Sequence, residues 1–189
     1  MVNKTHGVTE STPKSVMLGA GIVVRGLEFV SNAWKYEKIL GATSGGNKVT
    51  IEQELQDLEL DGVLVKTKGA VVKVGEKATL ETNLAEVTHD NLKLVVGGKD
   101  GAGVEGFDEI VSKEQLDEDD YVENLGYIGH TLAGDPIIVK FDYAICTSGL
   151  DFEGKNKDQT TIKAVFECCA DITAEDLRTL PYHIYTKTA

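Results

Sequence analysis

Carboxylates are the most concentrated reactive groups of this chain, and they gather in one stretch. Asp57-Leu58-Glu59-Leu60-Asp61-Gly62 puts acids at positions 1, 3 and 5 and glycine at 6, the opening of a calcium loop. Such a loop closes on a bidentate glutamate at position 12. That position is Lys68, and the flanks alternate as strands rather than helices, so calcium is not expected. A glycosidase needs two facing carboxylates beside aromatic sugar subsites; here the acids form a ladder and aromatics are 6% of the chain. Gly19-Ala20-Gly21 follows an apolar run as in a dinucleotide fingerprint, but the third small position is Val24 and no helix is expected next. His6, His89, His130 and His183 lack ligand spacing. Cys146, Cys168 and Cys169 are odd in number with two adjacent, which suits a reducing cytoplasm better than a disulfide framework. No GxSxG, HExxH, CxxC or P-loop sequence occurs. The expectation is a chain without catalytic residues, metal ligands or cofactor.

The elements around these groups read as strands. Val49 and Ile51 alternate with Glu52 and Glu54; then Leu58 and Leu60 alternate with Asp57, Glu59 and Asp61. The apolar and acidic sets change phase together near Leu55–Gln56, as one β-bulge would make them do. Glu52, Glu54, Asp57, Glu59 and Asp61 are thus expected on one face of one strand. Residues 62–75 are bounded by glycines and carry Val63, Leu64, Val65, Lys66, Lys68, Val71 and Val72. The segment exceeds the usual 2–5 residues of a hairpin loop, so it is expected to project toward a partner. A second strand follows over 76–86, with Ala78, Leu80, Thr82 and Leu84 on one side. Thr88 is a helix N-cap, Asp90 suits the positive helix end, and Gly97-Gly98 stops the helix.

Elsewhere, residues 15–25 are expected as a strand, 41–47 as a turn and 97–121 as a surface loop. Tyr121–Leu132 and Ile137–Cys146 flank a turn at Ala133-Gly134-Asp135-Pro136, residues 148–159 are a polar loop, and 160–170 form a strand with Cys168 and Cys169 on opposite faces. Thr173-Ala174-Glu175-Asp176 starts a short helical turn, and Tyr182–Lys187 is extended. The fold expected is mainly β: one domain over residues 1–189, a sandwich or partly closed barrel with one short flanking helix, a flexible arm over 1–13 and flexible termini. The chain length of 189 residues suits this. No run of about 18 apolar residues and no signal-peptide h-region is present, and the formal net charge of −12 disfavours phosphate binding.

This order of signals resembles the major tail tube proteins of long-tailed bacteriophages. The likeness is carried by Leu40–Val49 leading into the acidic strand ending Leu60-Asp61-Gly62, by Lys68-Gly69, by Ala78-Thr79-Leu80-Glu81-Thr82-Asn83-Leu84, and by Thr88-His89-Asp90-Asn91-Leu92. The Gly154–Thr161 loop and the strand holding Phe166 extend it toward the C-terminus. The resemblance implies a virion protein, made in the bacterial cytoplasm, whose hexameric rings stack into a tube. Inner sheets of adjacent subunits would join around a DNA channel, and a long loop would bridge rings. Implied partners are other copies of the chain, the tape measure protein and the tail terminator and initiator proteins. DNA would pass without specific binding, and no membrane is involved. The five acids would face the lumen, where like charge would keep DNA sliding. Two other readings stand beside it: a monomeric β-domain that binds through its loops, for which Phe29, Trp34 and Tyr36 are the one aromatic grouping, and an enzyme using carboxylate or metal chemistry.

Overall fold

The computed structural model describes residues 6–154 and 156–188; of the expected N-terminal arm, residues 1–5 lie outside the described residues. The elements are α1 (Thr12–Ser15), β1 (Ile22–Arg25), β2 (Glu28–Val30), β3 (Ala33–Lys35), β4 (Lys38–Ile39), β5 (Thr43–Asp57), β6 (Val71–Leu84), α2 (His89–Val96), β7 (Lys99–Asp100), β8 (Ile110–Val111), β9 (Tyr121–His130), β10 (Pro136–Cys146), β11 (Ile162–Cys169) and β12 (Tyr182–Thr186). A 3₁₀ turn at Glu118–Asp120 precedes β9. The protein is mainly β, as expected; it has two short helices where one was expected, α1 beginning inside the segment expected as an arm.

One eight-stranded sheet runs β4-β1-β9-β10-β11-β6-β5, with β12 added on β10. Strand β10 organises it. One edge pairs with β9; the other is shared, by β12 along Ile137–Phe141 and by β11 along Tyr143–Cys146. Asp142 marks the changeover, and its N–H donates to the Pro181 carbonyl at 3.0 Å. The strand path is open, ending at β4 on one side and β5 on the other. Val23 of β1, Leu125 and Tyr127 of β9 and Phe141 of β10 meet Leu80 and Leu84 of β6 and Ile162 and Phe166 of β11 in one core. Fully burying each such side chain contributes about 1.5–3 kcal/mol. The opposite face of β1 and β10 is covered too: Val24, Leu27 and Ile138 pack with Trp34 beneath the β2–β3 hairpin. That hairpin turns on Ser31 and Asn32, both with positive φ, the two-residue turn whose twist suits strands.

Helix α2 lies against the core through Val95. Thr88 Oγ1 accepts the Asn91 N–H at 3.2 Å, and Gly97 closes the helix in the left-handed conformation. Asn91 is buried because its Nδ2 donates to the carbonyls of Leu40 at 2.9 Å and Glu86 at 3.1 Å, tying the helix to both chain segments beside it.

Four sequence expectations need correction. The strand expected over 15–25 is confined to Ile22–Arg25, because Gly19 and Gly21 adopt positive φ and break it, leaving Met17 an isolated bridge to Thr131. The expected 41–47 turn instead opens β5: its residues 44–46 form an irregularity between the pairs Thr43–Leu84 and Asn47–Thr82, with Gly45 and Gly46 at positive φ. The 97–121 loop contains the β7–β8 ribbon. No helix forms at Thr173–Asp176. The Thr173 N–H and hydroxyl both donate to Asp171 Oδ1 at 2.8 Å, a local turn that competes with helix.

Candidate functional site

The β5–β6 ribbon starts inside the body and ends outside it. Its alternation explains the inner part: Val49 and Ile51 of β5 and Ala78, Leu80 and Leu84 of β6 face the core, and Val49 pairs with Leu80 while Ile51 pairs with Ala78. Beyond Ile51 no described residue covers the apolar side chains of the ribbon. Residues 52–69 are all exposed, Leu64 at 96% and Val65 at 76%. Leu55, Leu58, Leu60, Val63, Val72 and Val74 are exposed as well. The structure assigns Val71 and Val72 to β6 rather than to a loop, so the loop proper runs from residue 58 to 70. The Leu58 N–H donates to the Ala70 carbonyl at 2.7 Å, and turns close at Leu60–Val63 and Thr67–Ala70. Gly62 and Gly69 hold positive φ in those turns. Lys66 reaches back to Asp57 at 3.2 Å, an exposed pair worth little by itself; Lys68 stays on the exposed loop.

The acidic set divides differently from the sequence expectation. A register shift does fall between Glu54 and Leu55, but Glu54 pairs with Gly75 and Leu55 with Lys73, so the extra residue is Val74 on β6. Strand β5 therefore keeps its own phase. Glu52 and Glu54 share the outward face, Asp57 takes the side of Ile51 and Leu55, and Glu59 and Asp61 lie in the loop past the strand end. The five carboxylates do not form one ladder. The outward face is mixed in charge: Glu52 stands opposite Lys77 and Lys48 opposite Glu81. Lys77 reaches Glu167 at 3.0 Å and Lys163 reaches Glu81 at 3.1 Å, stitching β6 to β11.

Two further features frame the ribbon. β5 is the last strand of the sheet, so the far edge of Thr43–Asp57 has no strand partner among the described residues. A long unpaired edge of this kind is a template for another chain. At the base of the ribbon Glu76 faces inward with its side chain 6% exposed. Lys73 Nζ lies 2.8 Å from its carboxylate, the Leu180 N–H donates at 3.2 Å and the Tyr182 hydroxyl at 3.1 Å. The Lys73 hydrogen bond lowers the Glu76 pKa most, burial opposes it, and the Leu180 and Tyr182 hydrogen bonds add to the lowering.

The thiols and the two lysine–carboxylate clusters away from the ribbon are held in local contacts. Burial, with added repulsion from Cys169, Asp142 and Glu76, pushes the Cys168 thiol up to about 12, and burial also raises Cys169. Neither offers a thiolate at neutral pH. Lys113 is nearly enclosed and bonded to Asp117 and Asp120, both at 2.9 Å, which pins the 3₁₀ turn ahead of β9. His89 Nε2 and Lys93 Nζ meet Asp100 at 3.0 and 2.7 Å. Among the described residues no group of three or more His, Cys, Asp or Glu side chains is placed to hold a metal ion. No described helix is long and apolar enough to cross a membrane. Phe29 and Trp34 lie 5.2 Å apart between ring centres, but the third aromatic of the cluster is Tyr185 of β12, 4.7 Å from Trp34, rather than Tyr36.

Sequence reasoning missed Glu76, Asn91 and Lys113 as fixed points. Their signal was weak: a lone polar residue at an inward strand or helix position identifies itself only once its partners, distant in sequence, are in place. No family model matches the chain, and no curated protein matches it. Nine chains of solved structures match. One comes from the virion of a native gene transfer agent particle, at 9% identity and a TM-score of 0.41, covering 89% of this chain and 96% of that chain.

Proposed function

We propose that this chain is a structural virion subunit, the major tail tube protein of a long-tailed phage or phage-like particle, polymerising as stacked hexameric rings. The observation that carries the reading is the β5–β6 ribbon. It extends an apolar, two-stranded projection beyond the core and leaves a 15-residue strand with an open edge. Both features are costly for a solitary soluble domain and useful to one that completes itself in company. The open edge would pair with a neighbour around the ring. The projection, with Leu64 and Val65 at its tip, would bridge to the next ring. The formal net charge of −12 supports passage of DNA through the lumen without adhesion. In this reading the repulsion belongs to the subunit as a whole, since the outward face of the ribbon pairs Glu52 with Lys77 and Lys48 with Glu81. Other copies, the tape measure protein and the terminator and initiator proteins are the partners in this reading, and no cofactor takes part.

Negative-stain electron microscopy of the concentrated protein tests it, with rings or tubes of uniform width expected. Particles that stay monomeric at high concentration, even with the tail initiator added, contradict it. A second reading, a monomeric binding module, is favoured by the cluster of Phe29, Trp34 and Tyr185. Retention of a persistently monomeric protein on bacterial cell-wall material, lost in Trp34→Ala, would select that reading instead.

A further inference from the structure

We infer that Glu76 is a positioning residue, a latch that fixes the angle of the projecting ribbon by tying its base to the Leu180–Tyr182 segment. The ribbon emerges where β6 passes from the fully buried Ala78 to the exposed Val74. Glu76 sits between them on the inward side, opposite Gln53 of β5. A two-stranded ribbon has its own right-handed twist, but beyond the core no packed face fixes its angle to the body, so it can pivot about its exit point. Glu76 removes that freedom. Its carboxylate gathers a lysine from its own strand and two donors from a segment about a hundred residues away in sequence. The segment it grips is itself fixed, since the Pro181 carbonyl accepts from Asp142 and β12 pairs along β10. The latch therefore joins the ribbon to the strand that organises the sheet. This is a property of the single subunit and stands apart from the assembly reading.

The latch responds to acid in a defined direction. The folded pKa of Glu76 lies below the ordinary carboxylate value, so the latch is complete above that value and is lost as pH falls through the lower, folded one. The titratable and charged groups around it are Lys73 on β6, Tyr182 on β12 and the buried Cys168 on β11, with Asp142 of β10, and its partners Lys140 and His183, beyond the thiol. Acid acts on several of these, so the variants rather than pH alone assign the effect to Glu76.

Site-resolved hydrogen exchange on the unassembled full chain tests the latch. In Glu76→Gln, which keeps an acceptor but loses the charge, the amides of residues 71–75 and Leu180 exchange about tenfold faster, while those of β9 and β11 are unchanged. Tyr182→Phe shows a smaller effect at the same amides and carries the test should the first variant fold poorly. Acid below the ordinary carboxylate range, with rates corrected for intrinsic exchange, loosens the same amides in the wild type and changes them less in Glu76→Gln. A uniform rise across β9 and β11, or no change at residues 71–75, overturns the latch. Intact latching in a protein that never forms tubes would defeat the assembly reading and leave this one standing.

Discussion

The two halves of the β5–β6 ribbon both carry apolar residues and differ in what meets them. In the inner half, Ala78, Leu80, Thr82 and Leu84 of β6 alternate with polar residues and all four are buried, with Val49 and Ile51 of β5 half-buried against the same core. In the outer half, Leu55, Val72 and Val74 continue the apolar content, yet the body ends and no described residue covers them. An apolar strand residue stabilises a fold only where a second surface meets it. The inner half holds the subunit together; the outer half is available to a neighbour. Substitutions should therefore separate sharply into those that unfold the subunit and those that leave it folded and solitary.

The largest effect is expected in the inner half's surroundings. Phe166→Ala, in the centre of the core, should cost about 3–5 kcal/mol in chemical denaturation. A loss under about 1 kcal/mol would mean that the β6–β11 face is not the core. Next comes Asn91→Ala, which strands the carbonyls of Leu40 and Glu86 and should cost about 1–3 kcal/mol. Thr88→Ala, which removes only the helix cap, should cost about 1 kcal/mol. At the other extreme, Leu64→Ser at the tip should change subunit stability by no more than about 0.5 kcal/mol, while weakening assembly. If Leu64→Ser instead unfolds the subunit, the outer half folds back on its own body and the comparison collapses.

The sequence made the inner half readable and the outer half only partly so. Period-two alternation over 76–84 placed Leu80 and Leu84 inward because a covered strand must separate apolar from polar residues. Capping chemistry, a hydroxyl before the first turn and a glycine after the last, located Thr88 and Gly97 at the helix ends. Alternation misplaced the bulge. The shift is at Glu54–Leu55, but the phase change was ascribed to β5, when Val74 of β6 carries the extra residue. Past the core neither face is buried, so alternation there is under no packing constraint and its apparent phase is not evidence of side. Glu59 and Asp61 were assigned to a strand face for the same reason. The strand expected over 15–25 begins only at Ile22 because Gly19 and Gly21, at positive φ, break an otherwise apolar run. The fixed points Glu76 and Lys113 depend on contacts between distant segments, which no local pattern encodes.

The most direct measurement compares the full chain with one in which residues 59–69 are replaced by Asn-Gly, a two-residue turn joining Leu58 to Ala70. Thermal unfolding and electron microscopy are read on both. The account predicts closely matching melting temperatures, tubes from the full chain, and no tubes from the shortened one. Tubes of normal length from the shortened chain would contradict the role given to the projection.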